Sequence, residues 1–349
     1  MENKKSGGIG GIGFGFLLII GGICLLWWNE GRTVKTEASI KEVQSSGIEV
    51  NDAKYNSDNN DKIVLVTGKT QYETVTDTLL NITVEGLVLN RKVEVYEWEE
   101  SCDDDNCTYK KIWSDDLIDS SNFRNSSYKN PTSLMYKSEM FYTSYAKLGD
   151  FNLSKEFLAQ LDTNDTMPPK EDVEIEGFHV QGSYYTNVKN EADPEIGDLR
   201  IIYLYNDANE VTALGVQKEK ELATFVGKSG YSLNYVREGI YTLPQVINSL
   251  RSSNKTTKWL LRGLGILLVI IGISSVLSPI TKLLGYIPIL GSIANGAIGI
   301  VTFAVGLAIS LVVIAVAWFR YRPLLSIGLI VAVVALIILI KKFTKKKEA

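Results

Sequence analysis

Histidine and cysteine are nearly missing from this chain: one and three, respectively, in 349 residues. Ser–His–Asp or Cys–His chemistry would have to run through His179 alone. A four-ligand Cys/His metal cluster would need all four of these residues together, but His179 is remote in sequence from Cys102 and Cys107, and Cys24 lies inside the first apolar run. The nucleotide-binding patterns G-x-G-x-x-G after a strand and G-x-x-x-x-G-K-S/T are missing, as is the G-x-S-x-G of an acyl hydrolase. Acids are scarce in a more telling way. Residues 29–258 hold 38 of the 40 Asp and Glu but only 25 of the 36 Lys and Arg, so the remainder is apolar and basic. A single soluble domain is excluded, because no core this chain could build would cover those ends. Aromatic and β-branched content excludes disorder for most of the chain.

What is present is a set of long apolar runs. The first, residues 9–28, has twenty positions without a charge, enough for a helix to cross a hydrocarbon layer of ~30 Å at about 1.5 Å per residue. No A-x-A cleavage site follows it, so it reads as an uncleaved signal anchor. Trp27, Trp28 and Arg32 suit the membrane interface. The second span is 259–278, ended by Pro279, with Arg262 one turn inside and able to snorkel outward. The third is 293–319, and the fourth is 323–340. Residues 320–322 form a tight hairpin with Arg320 and Arg322 as interfacial anchors. Residues 279–292 are apolar but broken by Pro279, Gly285, Pro288 and Gly291, and read as an interfacial connection, with a re-entrant loop as the alternative.

Basic residues favour the cytoplasmic side. The tails at 1–8 and 341–349 carry Lys4, Lys5, Lys341, Lys342, Lys345, Lys346 and Lys347. Four spans put both tails there and leave 29–258 outside the cytoplasm. Cys102 and Cys107 flank an acidic loop and could close a disulfide in an oxidising compartment; a metal-binding pair is the alternative. N-x-S/T sequons occur at Asn81, Asn106, Asn125, Asn152, Asn164 and Asn254.

The middle reads as one α+β, strand-rich domain. Strands are expected at 63–68, as two runs within 82–98 with Asn90-Arg91-Lys92 near a turn, and at 140–145, 177–180, 199–205 and 211–216. A short helix over 154–161 would be capped by Ser154, and 243–253 looks helical. The fold class is therefore a multi-pass α-helical membrane protein of four transmembrane helices, with this domain between helices 1 and 2.

Gly7, Gly11 and Gly15 recur every four residues, and Gly22 roughly extends the stripe. Residues without Cβ atoms let helices approach closely in lipid, so the stripe predicts helix association, within the chain or between copies.

Several stretches together resemble the transmembrane protein 43 (LUMA) family. They are Trp27-Trp28-Asn29-Glu30-Gly31-Arg32, Lys35-Thr36 and Ala38-Ser39; Trp113-Ser114 through Ser120, Asn122-Phe123 and Lys129-Asn130-Pro131; Gly197-Asp198-Leu199-Arg200; Arg262-Gly263-Leu264-Gly265; and Trp318-Phe319 with Tyr321-Arg322-Pro323-Leu324. They fall in order from end to end. The resemblance implies a self-associating protein of the endoplasmic reticulum and inner nuclear membrane, linked to emerin and lamins in an animal host. In a bacterium the cytoplasmic membrane takes that place. The acidic Cys102–Cys107 loop is not part of the family pattern.

The resemblance brings no catalytic residues, cofactor or metal. The expected activity is a non-enzymatic membrane scaffold whose partners are the lipid bilayer, further copies of itself and envelope proteins, with no nucleic acid. Two alternatives are a channel or transporter, and a hydrolase using Asp115, Asp116 and Asp119. Few polar residues lie within spans (Ser274, Ser275, Asn295, Thr302, Ser310), and the three aspartates have no distinctive spacing.

Overall fold

The computed structural model describes residues 9–103, 106–170, 173–284, 290–324 and 326–327. Its helices are α1 (Ile9–Ser46), the single turn α2 (Lys155–Leu158), α3 (Leu243–Leu284) and α4 (Leu290–Tyr321). The chain divides into two compact units. One holds the long helices together with Val226–Leu233; the other is Ser46–Phe225 with Asn234–Leu243.

Among the described residues three helices are long and apolar enough to cross a membrane: α1, α3 and α4. The fourth expected span, 323–340, and both lysine tails fall largely or wholly outside the described residues. So do Gly7 and 285–289 of the expected connection.

The helices run well past the apolar segments that signal them. At 38 residues α1 is about 57 Å long, roughly twice a hydrocarbon layer. The expected domain start at residue 29 is therefore inside a helix. Residues 29–46 contain no Pro and one Gly, and Thr33 and Thr36 return their hydroxyls to the carbonyls four residues back. At the other end α3 is one helix of 42 residues, covering the expected 243–253 helix and the second span without a break. It also continues through Pro279, where a stop was expected. A proline removes one backbone hydrogen bond, and membrane helices tolerate that loss. Within the helical unit the extensions are joined: Arg251 Nε donates to Glu37 at 3.1 Å, and Asn254 Nδ2 to the Thr33 carbonyl at 3.1 Å. The loop 226–233 closes on α1, with Lys228 N donating to Glu42 and Ser229 Oγ to the Lys35 carbonyl.

The other unit is built on two seven-stranded sheets among the described residues. In the first, Ile63–Tyr72 pairs antiparallel with Glu210–Lys218, Val66 opposite Ala213, and Ile48–Val50 adds in parallel. Val64, Val66, Phe151, Phe157, Val211 and Ala213 form its core. In the second, the sixteen-residue strand Val88–Asp103 lies between Leu199–Asn206 and Asn106–Ser114. Its odd-numbered residues Arg91, Val93, Val95 and Glu97 are buried, the period of two that a one-faced strand requires. The expected turn at Asn90-Arg91-Lys92 is thus mid-strand, and the break falls at Gly86-Leu87 instead. The reason is that Arg91 points inward onto a carboxylate. The short helix begins after Ser154 as expected, but the Ser154 side chain makes no capping bond.

Candidate functional site

Three helices meet where their apolar stretches end. Glu30 of α1 is fully buried. Its Oε1 accepts from Arg262 Nε of α3 at 2.6 Å, and its Oε2 accepts from the Trp318 indole of α4 at 2.9 Å. A charge in such surroundings is costly unless paired and fully hydrogen-bonded, and one acid here receives a donor from each of two other helices. Arg262 lies 4.8 Å from the Trp259 ring centre and 5.8 Å from that of Trp318. It does not snorkel outward as expected: the buried carboxylate holds it inside.

Polar side chains extend the node along α1 and α3. Asn29 Nδ2 donates to the Lys258 carbonyl at 3.0 Å, and Arg32 Nη1 to Asn254 Oδ1 at 3.1 Å. Arg32 is half-buried and also reaches Asn29 Oδ1. Trp27 packs edge-on against Tyr321 at 6.0 Å, and a Cβ on Gly31 would lie 2.7 Å from the Tyr321 ring. Trp28 and Arg320 are exposed, and Arg322 is half-buried. Both oxygens of Glu30 thus tie α1 to its two neighbours, α3 and α4.

Glycines bring α1 and α3 together farther along. A Cβ on Gly15 would lie 2.7 Å from the Gly272 carbonyl oxygen, and one on Gly22 2.8 Å from that of Gly265. Each helix thus offers two glycines seven positions apart. Gly306 of α4 approaches Ile270 in the same way. Gly11 meets nothing within 4 Å. The four-residue period of Gly7, Gly11 and Gly15 is therefore not the spacing this contact uses.

The other singled-out residues do not join this node. Cys102 and Cys107 face each other across the hairpin of Val88–Asp103 and Asn106–Ser114 and are joined by a disulfide. Glu100 is beside them, but with both sulfurs bonded to each other there is no thiolate to bind a metal. His179 is exposed on a three-residue strand. Asp115 lies 3.7 Å from Lys92, while Asp119 caps the turn Ser120–Asn122, and the Ser121 N–H holds its carboxyl below the usual range. Asn254 is buried and engaged with α1, so that sequon is covered.

The strand-rich unit has its own buried polar centre, which sequence reasoning missed. Arg91 donates to Asp77 and, at 2.9 Å, to Glu139, and the Tyr203 hydroxyl donates to Asp77 at 2.6 Å. Burial, then the Asp77 hydrogen bond, push the Tyr203 phenol upward. The available signal was the alternation Arg91, Val93, Val95, carried back one step further. Farther along the same strand, Asn130 bridges the Trp98 backbone through both its amide oxygen (2.7 Å) and nitrogen (2.8 Å).

Residues 90–323 match the family model described as Transmembrane protein 43. The chain belongs to the transmembrane protein 43 family. It is 25% identical to Transmembrane protein 43 of Homo sapiens over 94% of this chain and 88% of that protein. It is 24% identical to the Rattus norvegicus protein over 97% and 92%. With the Transmembrane protein 43 homolog of Drosophila melanogaster it shares 23% over 91% of each. No solved structure matches it. Family membership and the three apolar helices make it an integral membrane protein. Three of the stretches that carry the resemblance, 27–32, 262–265 and 318–324, meet at the Glu30–Arg262–Trp318 node.

Proposed function

We propose that the protein is a non-enzymatic membrane scaffold that self-associates and organises complexes of membrane proteins. The observation that carries this reading is the division of the α1 glycines. Gly15 and Gly22 are engaged by α3, whereas Gly13 and Gly21, eight positions apart on another face, meet nothing within 4 Å. Phe14, Leu17 and Ile20 are exposed among them. Such a face allows a second helix to approach closely in lipid. The polar groups within the spans support scaffolding over conduction: Ser275 and the buried Ser310 donate to carbonyls of their own helices, and both oxygens of Glu30 are engaged.

The family suggests the endoplasmic reticulum and inner nuclear membrane, with emerin- and lamin-type partners, in an animal host. The disulfide supports an oxidising, non-cytoplasmic side for the strand-rich unit. Chemical cross-linking of the full-length protein tests self-association. Gly13→Leu with Gly21→Leu should abolish cross-linked oligomers while the α1–α3 contact survives; undiminished oligomers would rule this face out. Proximity labelling from each terminus in the native host tests sidedness and partners together.

A further inference from the structure

The helix node carries more positive charge than it neutralises. Arg32, Lys255, Lys258, Arg262 and Arg322 gather where the apolar stretches of α1, α3 and α4 end. Lys258 is one turn from Arg262, with its carbonyl bonded by Asn29 of α1 at 3.0 Å. Arg322 follows Tyr321, whose ring packs on Trp27 and Gly31 of α1, and Glu30 is the acid among them. That acid is already committed to Arg262. The Arg32 guanidinium bonds only neutral groups, Asn254, Asn29 and Thr33, and its Nε is buried without a partner. Among the described residues, no carboxylate forms an ion pair with Arg32, Lys258 or Arg322.

The surroundings state what kind of anion fits. Trp28 and Trp259, 56% and 57% exposed, mark the level of the membrane interface. Trp259, next to Lys258, and Phe319, one turn before Arg322, are exposed toward the apolar side of these cations. A free anion would answer the charge but leave this apolar surface uncovered. A phospholipid answers both, with its phosphate at the cations and its acyl chains along the helices; basic pockets between membrane helices bind lipid headgroups in this way.

We propose that Lys258 and Arg322, with Arg32 beside them, bind the phosphate of an anionic glycerophospholipid whose acyl chains lie along α3 and α4. The bound lipid would supply the counter-charge that the protein omits, and the three-helix node would be complete only in a membrane containing such a lipid.

Native mass spectrometry of the full-length protein, released from detergent with phosphatidylglycerol or phosphatidylcholine, tests this. Wild type should retain phosphatidylglycerol in preference to phosphatidylcholine. Lys258→Gln and Arg322→Gln should each lower that preference about fivefold, the order expected for removing one basic residue from an anionic lipid surface. Lys258→Arg with Arg322→Lys should keep it, and the exposed pair Lys62→Gln with Lys220→Gln should leave it unchanged. Equal retention of the two lipids by wild type would overturn the proposal, and that comparison needs no variant to fold. Loss of the preference in the Lys62/Lys220 variant would overturn the site. Displacement of the lipid by millimolar inorganic phosphate would overturn the lipid in favour of a free-anion site.

Discussion

Glu30 and Arg262, 232 positions apart, share a 2.6 Å hydrogen bond inside the helical unit, and neither is open to solvent. The pair ties the exit of the first apolar segment to the entry of the second. Trp318 brings in the third helix through the second carboxylate oxygen.

Breaking one side of this pair should therefore cost more than removing it whole. Glu30→Leu or Arg262→Met alone leaves an uncompensated buried charge, and each should destabilise the protein by about 3–5 kcal/mol. The double variant should recover most of that loss. Thermal unfolding of the detergent-solubilised protein measures all three. If the double variant is as unstable as the sum of the singles, the residues do not act as a pair.

The glycine contacts make a positional prediction. Gly22→Val places methyl groups where the Gly265 carbonyl and Val269 already lie. Overpacking of this kind costs about 1–3 kcal/mol. Gly11→Val points into open space and should leave the unfolding temperature of the monomer unchanged. Equal effects at the two positions would mean that α1 does not seat on α3 through Gly22.

In the strand-rich unit, Arg91→Leu strands Asp77 in the core without a counter-charge, its remaining donors being the Tyr203 hydroxyl and the Leu79 and Leu80 N–H groups. A loss of about 3–5 kcal/mol is expected. Arg200→Leu, on the next strand but stacked on the Trp113 ring rather than paired to an acid, should cost less. Chemical denaturation followed by tryptophan fluorescence compares the two.

Glu97 gives the unit a pH dependence of unusual sign. Burial pushes its carboxyl above the ordinary range, against the opposing effect of the Ile118 N–H, which donates to both oxygens at 3.1 Å. A raised folded-state value means that the native state holds this proton more tightly than the unfolded chain does. Its contribution is full below the unfolded value of about 4.3 and is lost as pH rises through the folded value. Glu97→Gln should remove this slope. Unfolding temperatures of wild type and variant should therefore diverge as pH rises from about 4 to about 7, with the variant gaining relative to wild type. Parallel curves would show that Glu97 titrates normally.

The periodic parts of this molecule are legible in its amino-acid sequence. Apolar runs of twenty residues mark helices because backbone polar groups must bond within the segment when water is absent. Runs such as Ile63–Gly68 and Leu199–Tyr205 mark strands because their β-branched and aromatic side chains suit a pleated surface. Composition alone separates an acidic, folded middle from apolar, basic-edged ends. Less legible are the places where a polar residue obeys an apolar pattern. Arg91 reads as a turn residue because charge signals exposure, and Arg262 reads as a snorkelling cation for the same reason. Both are buried because a carboxylate distant in sequence waits inside, and local pattern does not report such a partner.

The linear chain alone therefore determined that this is a membrane protein with a strand-rich unit between its first two apolar helices. Hydrophobic runs and side-chain periodicity are local properties and need no partner. Only the tertiary structure decided that α1 continues as a helix to Ser46, that Gly15 and Gly22 rather than Gly11 meet α3, and that Glu30, Arg262 and Trp318 close one node. Each of those outcomes depends on which surface a helix meets, and that is set by packing between segments more than two hundred residues apart.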